Sequence, residues 1–453
     1  MLEFLQGVNR LIWGGPTLIL ILVAAVWLTI KTGFGQFRLF PRSIKYFFKK
    51  MRKDKCVTQG VSARQALCTA LAATVGTGNL AGVAGAIAIG GPGAVFWMWI
   101  CAFGGMILKF SEAALSVRFR SLNANGETVG GPMYMIQNGL GKRWHCLAYA
   151  YCFFGVVAAL GVGNATQINT LIGSINGVLQ NKGVVPSDKG NLIMGIGFAI
   201  FVAVLLLGGA KRIGEITEKL MPFAAVAYIA LCIGVLCLRW HYVPGALSII
   251  VKGAFTPAAV TGGMIGSVFQ SMRVGVSRGV FTNEAGMGTA GIAHGAAQVE
   301  HPCEQGLMGI VEVFLDTIVI CTMTALVILC SDIVIPYGND CGVGLTANAF
   351  ASVYGSWAQI LLSLCVCCFA FATVLGWGLY GARCAQFLLG ESAWIPFVIL
   401  QFFTVILGAV LKTQIVWLAA EIVNGLMALP SLIALIYLTP ELKHMIRQWK
   451  QND

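Results

Sequence analysis

The sequence predicts an all-α polytopic membrane protein with about eleven transmembrane helices. Three observations carry that reading. The first is composition: 57% of the 453 residues are hydrophobic and 11% charged, with mean hydropathy +0.81, against about 25% charged residues in a soluble domain. The second is recurrence, because apolar stretches near the roughly 20 residues that a crossing needs follow one another from end to end. The third is that Lys and Arg collect in alternate loops, as the positive-inside rule requires. This composition excludes a water-soluble enzyme, a disordered chain and a nucleic-acid binder.

The spans read in order are Leu11–Ile30, Leu67–Ile89, Ala94–Val117, Trp144–Val178, Leu192–Gly209 and Pro222–Leu238. Then come an interrupted Val260–Gln298, Gly306–Ser331, Trp357–Ala382, Trp394–Leu411 and Val416–Leu438. Each is long enough to satisfy its own backbone as a helix, whereas barrel strands would be short alternating segments. The first span does not read as a signal peptide: Met1–Gln6 has no basic stretch, and no small-residue cleavage site precedes Lys31. Most of the 15 cysteines lie in apolar runs, such as Cys321, Cys330, Cys365, Cys367 and Cys368, where they act as small hydrophobes.

Nine Lys and Arg fall between Lys31 and Lys55. Placing that segment in the cytoplasm puts the N-terminus outside and, after eleven crossings, the C-terminal tail inside. The loops carrying Arg118, Arg120, Lys142 and Arg143, then Lys211, Arg212 and Lys219, then Arg383, and the tail with Lys443, Arg447 and Lys450, fall on that same side. Opposite them lie only Lys182, Lys189, Arg239, Lys252 and Lys412. The net charge of +12 is therefore mostly topogenic, and no nucleic-acid partner is expected. Phe40–Met51 also fits an amphipathic helix lying on the anionic inner leaflet of the bilayer.

Two glycine-rich interruptions mark where chemistry belongs. One is Ala72-Ala-Thr-Val-Gly-Thr-Gly-Asn79 in the second span; the other is Gly279-Val-Phe-Thr-Asn-Glu-Ala-Gly-Met-Gly-Thr289 in the seventh. Glycine weakens a helix by about 1 kcal/mol per residue. An unwound mid-membrane segment offers amides to an anion and carbonyls to a cation. Gly78 and Gly82 also form a GxxxG pair, so helix packing competes for the first motif. A matched pair, one in each half, is the sequence pointer to a transporter site.

Around these lie polar residues at depth. Glu284 is expected to hold the unwound backbone by accepting hydrogen bonds, with Arg278 upstream. Lys109, Glu112, Glu312 and Asp316 are expected to pair structurally or line a cavity. Asn164 and Gln167 are three apart and share a helix face, as interhelical glue or as a ligand's polar wall. Thr373 either bonds back to its own helix or supplies an oxygen to a cation. Trp377, one turn on, either packs in the core or closes over a small ligand. No zinc-helix, nucleophile-elbow or Walker motif is present, and the five histidines are scattered. The chain is not expected to be an enzyme or to carry a cofactor.

These motifs resemble the alanine or glycine:cation symporter family, also called sodium:alanine symporters. The resemblance rests on Ala73–Gly82, Gly90–Trp99, Gly130–Met135, Arg278–Gly288, Phe314–Ile318 and Thr373–Trp377, in order along the whole chain. It implies a leucine-transporter-like fold, with one extra N-terminal helix followed by a 5+5 inverted repeat with two broken helices. The implied division is 1–60 for the extra helix and basic segment, 61–240 and 241–440 for the repeats, and 441–453 for the tail. In that frame the amides of Thr77 and Gly78 meet an amino-acid carboxylate, and Thr74 or broken-helix carbonyls meet its amine. Phe281, Thr282, Gly286, Gln167 and Trp377 enclose the rest. Sodium sits on the carbonyls of Ala72 and Val75 with Thr373, and Asn79 is a candidate for a second sodium. Ala372 stands where relatives often carry Ser, which removes one hydroxyl from the sodium shell.

The resemblance thus implies a sodium-coupled symporter for a small neutral amino acid, alanine or glycine, working by alternating access in a bacterial inner membrane. Its partners are that amino acid, Na⁺ and the lipid bilayer; nothing in the sequence specifies an oligomeric state. Glutamine or another neutral amino acid, and proton coupling, are the alternatives within the same fold. A gated channel is the rival class, against which stands the clustering of polar residues at mid-membrane only.

Overall fold

The computed structural model describes residues 2–13, 15–52, 60–256, 268–339, 342–411 and 413–451. The start of the seventh predicted span at Val260, and Lys53, Lys55 and Lys412, lie outside the described residues. The described chain is almost wholly helical, and within the described residues ten predicted spans fall on helical stretches while the seventh falls on two helices with a break between them.

α1 (Leu2–Trp13) and α2 (Pro16–Lys31) make the first crossing, and α3 (Gly35–Arg52) is the basic segment. α4 (Ala63–Thr74) opens on a reciprocal cap: Ser62 Oγ accepts from the Gln65 amide, and Gln65 Oε1 accepts from the Ser62 amide. A wide turn at Gly78–Gly82 leads into α5 (Val83–Gly90), bent 48° from α4. α6 (Gly93–Arg118) follows, then a small hairpin of β1 (Ser121–Leu122) and β2 (Thr128–Val129), and α7 (Pro132–Tyr134). The fourth span runs through α8 (His145–Leu160), a widened segment Gly161–Ala165 and α9 (Thr166–Asn181).

α10 (Asp188–Leu206) and α11 (Gly209–Leu238) complete the first half. α11 begins thirteen residues before the predicted Pro222, which sits inside it. Hydropathy lost the first turns to Lys211, Arg212 and Lys219, yet Ile213 and Thr217 between them are fully buried. α12 (Val243–Phe255) precedes the second broken unit, α13 (Val268–Asn283) and α14 (Thr289–Gly295). α15 (Pro302–Val313) passes through Phe314–Cys321 into α16 (Thr322–Leu329), and α17 (Val343–Tyr354) and the long α18 (Ala358–Leu389) follow. α19 (Trp394–Val410), α20 (Thr413–Tyr437) and α21 (Thr439–Gln451) close the described chain.

Among the described residues, eight helices are long and apolar enough to cross a membrane, or ten when each bent pair counts as one span. α13 and α14 fall short, at 16 and 7 residues, because the unwound stretch between them divides the crossing. Ion pairs gather the loops at two ends. Arg118 meets Glu441 and Arg383 meets Glu127, each at 2.7 Å, and Arg64 pairs with Glu218, all within the loops predicted to share the basic side. Arg239 and Asp332, from two loops predicted opposite, pair at 2.7 Å. The two broken units face each other at the centre: α13 packs on α5 and α6, and α18 packs on α4.

Candidate binding site at the two broken helices

The first break follows from three side chains. Val75 ends α4 in an extended conformation. The Gly76 amide then turns to Asn79 Oδ1 at 2.9 Å, so a side chain replaces the carbonyl that would have continued the helix. Thr77 donates to Gln167 Oε1 twice, from its amide at 3.4 Å and from its hydroxyl at 2.9 Å. Among the described residues, the carbonyls of Ala72, Ala73, Thr74 and Val75 accept no backbone amide, and the Gly78 amide has no acceptor. These are the orphan groups of two half-helix ends, carbonyls on one side and an amide on the other.

α18 covers this opening. A Cβ on Gly76 would stand 2.6 Å from Thr373 Oγ1 and 3.4 Å from Gln167 Oε1, and one on Gly376 would stand 3.0 Å from the Ala73 nitrogen. Thr373 gives its hydroxyl proton to Phe369 O at 2.9 Å, which leaves its oxygen lone pairs as acceptors beside Gly76. From the second unit, Phe281 and Thr282 approach Gly78: a methyl there would touch Thr282 Cγ2 at 3.6 Å and the Phe281 ring at 3.7 Å. The Thr74 hydroxyl donates to Ala70 O within its own helix at 3.1 Å. Thr74, Thr77, Gly78, Gln167, Phe281, Thr282, Ala72, Val75 and Thr373 thus lie at or beside the first break.

Asn79 is more occupied than its sequence position suggested. Its amide donates to Asp316 Oδ1 at 2.7 Å and to Asp316 O at 3.3 Å, while its oxygen caps Gly76. Asp316 also accepts from Thr317 Oγ1 at 2.8 Å. Trp377 packs on Gly163, where an added Cβ would come within 2.1 Å of the Trp377 Cβ and 2.2 Å of its ring, and its indole donates to Glu284 Oε1 at 2.9 Å.

The second break is built differently, and here the expectation for Glu284 changes. Glu284, at φ +53°, does not hold the unwound backbone; its carboxylate accepts from Trp377 and from Thr289 Oγ1 at 2.6 Å. The backbone is held by Glu112 of α6, whose Oε1 accepts from the Gly286 amide at 2.7 Å and the Gly288 amide at 3.0 Å. Asn283 adds a local turn, accepting from the Ala285 amide at 3.0 Å. Arg278 pairs with Glu421 at 3.2 Å.

Gly286 is not brought to the opening. It sits at φ +94°, and a Cβ there would meet Leu432 at 2.9 Å, with Ile21 and Leu108 beyond. Its side faces the first and eleventh spans, because the left-handed backbone that turns the chain swings it away from Phe281. Asn164 and Gln167 also part company: Asn164 binds Gln401 O of α19 at 3.1 Å while Gln167 faces Thr77. The extra residue per turn in Gly161–Ala165 rotates the two off a common face.

The buried charges supply what the sequence could not pair. Lys109 meets Glu312 at 3.0 Å, Glu312 meets His294 at 3.0 Å, and Gln305 bonds the other His294 nitrogen at 2.6 Å. Each pair joins different spans, so no local spacing announced it. His294 is fully buried.

The sequence model of the sodium:alanine symporter family matches residues 1–453. The chain is 41% identical to the sodium/alanine symporter AgcS of Methanococcus maripaludis, over 96% of this chain and 94% of that protein. It is 34% identical to the probable sodium/glutamine symporter GlnT of Bacillus subtilis, over 97% and 89% respectively. Its fold is similar to the crystal structure of MhsT in complex with L-phenylalanine, with TM-score 0.58 and 13% identity, covering 86% of this chain and 99% of that one. With motif order, broken-helix geometry and a match along the full sequence in agreement, the chain belongs to the sodium:alanine symporter family.

Proposed function

We propose that this chain couples the entry of Na⁺ to uptake of a small neutral amino acid, alanine or glycine, by alternating access across a bacterial inner membrane. The observation that carries the reading is the first break, where four carbonyls without amide donors end α4 beside the Thr373 hydroxyl. Oxygen ligands without protons suit a hard monovalent cation, and Ala72, Val75 and Thr373 are the ligands proposed. The other side of the break suits a carboxylate. Gln167 Oε1 already accepts from the Thr77 amide and hydroxyl, and this neutral oxygen stands in for a substrate oxygen that would displace it and take the Gly78 amide as well. The amine would then face the α4 carbonyls or the Thr74 oxygen.

Size favours a small side chain. Between Gly78 and the pair Phe281 and Thr282 there is room for about a methyl group at ordinary contact. Trp377, tied to Glu284, forms the lid of that space. Residues 61–240 and 241–440 act as the two repeats that rock around the site, and the basic loops lie in the cytoplasm, with the N-terminus outside.

The test is uptake of labelled alanine and glycine into proteoliposomes with and without an inward sodium gradient, with unlabelled glutamine as competitor. Alanine accumulation that collapses without sodium supports the reading. Accumulation driven by a proton gradient alone, or stronger competition by glutamine than by alanine, overturns the corresponding part. Topology is checked separately: a cysteine replacing the exposed Lys45 reacts with an impermeant thiol reagent only after the cells are opened.

A further inference from the structure

One carboxylate is tied to both breaks through other side chains. Asp316 lies in the wide turns Phe314–Cys321 of the eighth span, and Asp316, Thr317, Asn79 and Asn283 are all fully buried. Two chains of hydrogen bonds run into it. In the first, the Gly76 amide donates to Asn79 Oδ1 at 2.9 Å, and the Asn79 side-chain amide donates to Asp316 Oδ1 at 2.7 Å. In the second, the Ala285 amide donates to Asn283 Oδ1 at 3.0 Å, and Asn283 donates to Thr317 Oγ1 at 3.2 Å. Thr317 then donates to Asp316 Oδ2 at 2.8 Å.

A backbone N–H can only donate, so each chain has a fixed sense. Gly76 and Ala285 claim the oxygens of Asn79 and Asn283, which turns both side-chain NH₂ groups toward the eighth span. Thr317 accepts from Asn283 and spends its own proton on Asp316. Both Asp316 oxygens therefore serve as acceptors, and both donors that reach them are neutral. An Asn79 amide turned the other way would set NH₂ against the Gly76 N–H and oxygen against Asp316 Oδ1. We propose that Asp316 is a positioning residue for transport. It fixes the orientation of Asn79 and so the open end of α4, and by way of Thr317 and Asn283 it ties that end to the second break. Asp316 acts as a hydrogen-bond acceptor and holds neither ion nor substrate itself. Its effect on sodium rests on the functional reading above; its effect on the backbone at Gly76 does not.

The test uses the full-length protein and two readouts. The first is hydrogen–deuterium exchange in detergent, without sodium or substrate, of a peptide covering 72–82, with a peptide from α10 as control. The second is the sodium concentration for half-maximal alanine uptake into proteoliposomes. Asp316→Ala should speed exchange at 72–82 roughly tenfold and raise the sodium requirement roughly tenfold, the effect of one lost buried hydrogen bond, with the control peptide unchanged. Asp316→Asn keeps an oxygen for Asn79 and offers its NH₂ to the second lone pair of Thr317, so both readouts should stay within about threefold of the original. Unchanged exchange at 72–82 in Asp316→Ala overturns the positioning role. A sodium requirement raised as much by Asn as by Ala, with normal exchange in Asp316→Asn, makes the charge itself the ligand and overturns it too. Should Asp316→Ala fail to fold, Thr317→Val keeps the shape and cuts the second chain alone. It should speed exchange at 283–289 and also, by about threefold, at 72–82; a change confined to 283–289 overturns the tie between the breaks. Because exchange is read without transport, an original protein that lacks sodium-dependent uptake counts against the functional reading alone.

Discussion

The two breaks look alike in sequence, each a run of glycines with Thr and Asn, yet the structure builds them from opposite materials. At the first, neutral amides do the holding: Asn79 caps Gly76, and Gln167 receives Thr77. No residue from Val75 to Gly78 has positive φ, and the half-helix ends keep unpaired carbonyls and an amide. At the second, a carboxylate from another span grips two amides, and Glu284, Gly286 and Gly288 are all left-handed. Charge-assisted bonds are roughly twice as strong as neutral ones. The contrast teaches that an interrupted helix becomes a binding site when its ends are left open to exchange partners. Where its amides are already bound to a buried carboxylate, it is a fixed turn, and the proposed wall of the ligand space, Phe281 and Thr282, lies just before it.

The largest expected effect removes the grip on the second break. Glu112→Ala leaves the Gly286 and Gly288 amides buried without an acceptor, at roughly 1–3 kcal/mol each. Against the 5–15 kcal/mol that folded domains typically hold, the yield of monodisperse protein on gel filtration should fall at least tenfold. A normal yield with normal uptake would erase the distinction between the breaks.

Next comes Gly76→Ala, which forces a methyl within 2.6 Å of Thr373 Oγ1. Overpacking of this kind costs about 1–3 kcal/mol, so the sodium concentration for half-maximal uptake should rise roughly tenfold. Gly286→Ala carries two penalties, the left-handed backbone at roughly 1–2 kcal/mol and the contact with Leu432. Because Gly286 faces Leu432 and not the opening, alanine and glycine uptake should fall by one common factor when normalised to surface expression. A selective loss of alanine would return Gly286 to the pocket wall. The smallest effect is Gly78→Ala, whose methyl meets Thr282 and Phe281 at ordinary distances. A mismatch of one carbon in a pocket is worth about 1–3 kcal/mol, so alanine should lose severalfold more than glycine, with sodium dependence unchanged.

Much of this was legible in the sequence, and the exceptions have physical causes. Helix class, span order and both interruptions follow from hydropathy and glycine content, because a bilayer admits so few backbone solutions. The sixth span's early turns were hidden because three charged residues lowered the local hydropathy although the helix continues through them. Glu112 was visible as a charge within a span, but its partners lie 174 and 176 residues away, and no spacing rule reaches so far. The same holds for Asp316 with Asn79 and for His294 with Glu312. The positions of Gly286 and Asn164 depended on local backbone geometry: a left-handed turn for one, an inserted residue in a helical turn for the other. Each moves a side chain to a different face without changing the residue pattern.

The claim that the first break is the exchangeable one is tested most directly at Thr373, whose oxygen faces the open end of α4 without holding either break together. Among the described residues its hydroxyl bonds within its own helix alone, to Phe369 O, so Thr373→Ala should fold normally. Sodium-dependent alanine uptake into proteoliposomes by this variant should need at least tenfold more sodium for half-maximal rate, with the preference between alanine and glycine unchanged. An unchanged sodium requirement in a well-folded Thr373→Ala protein would contradict the assignment of the first break as the cation site.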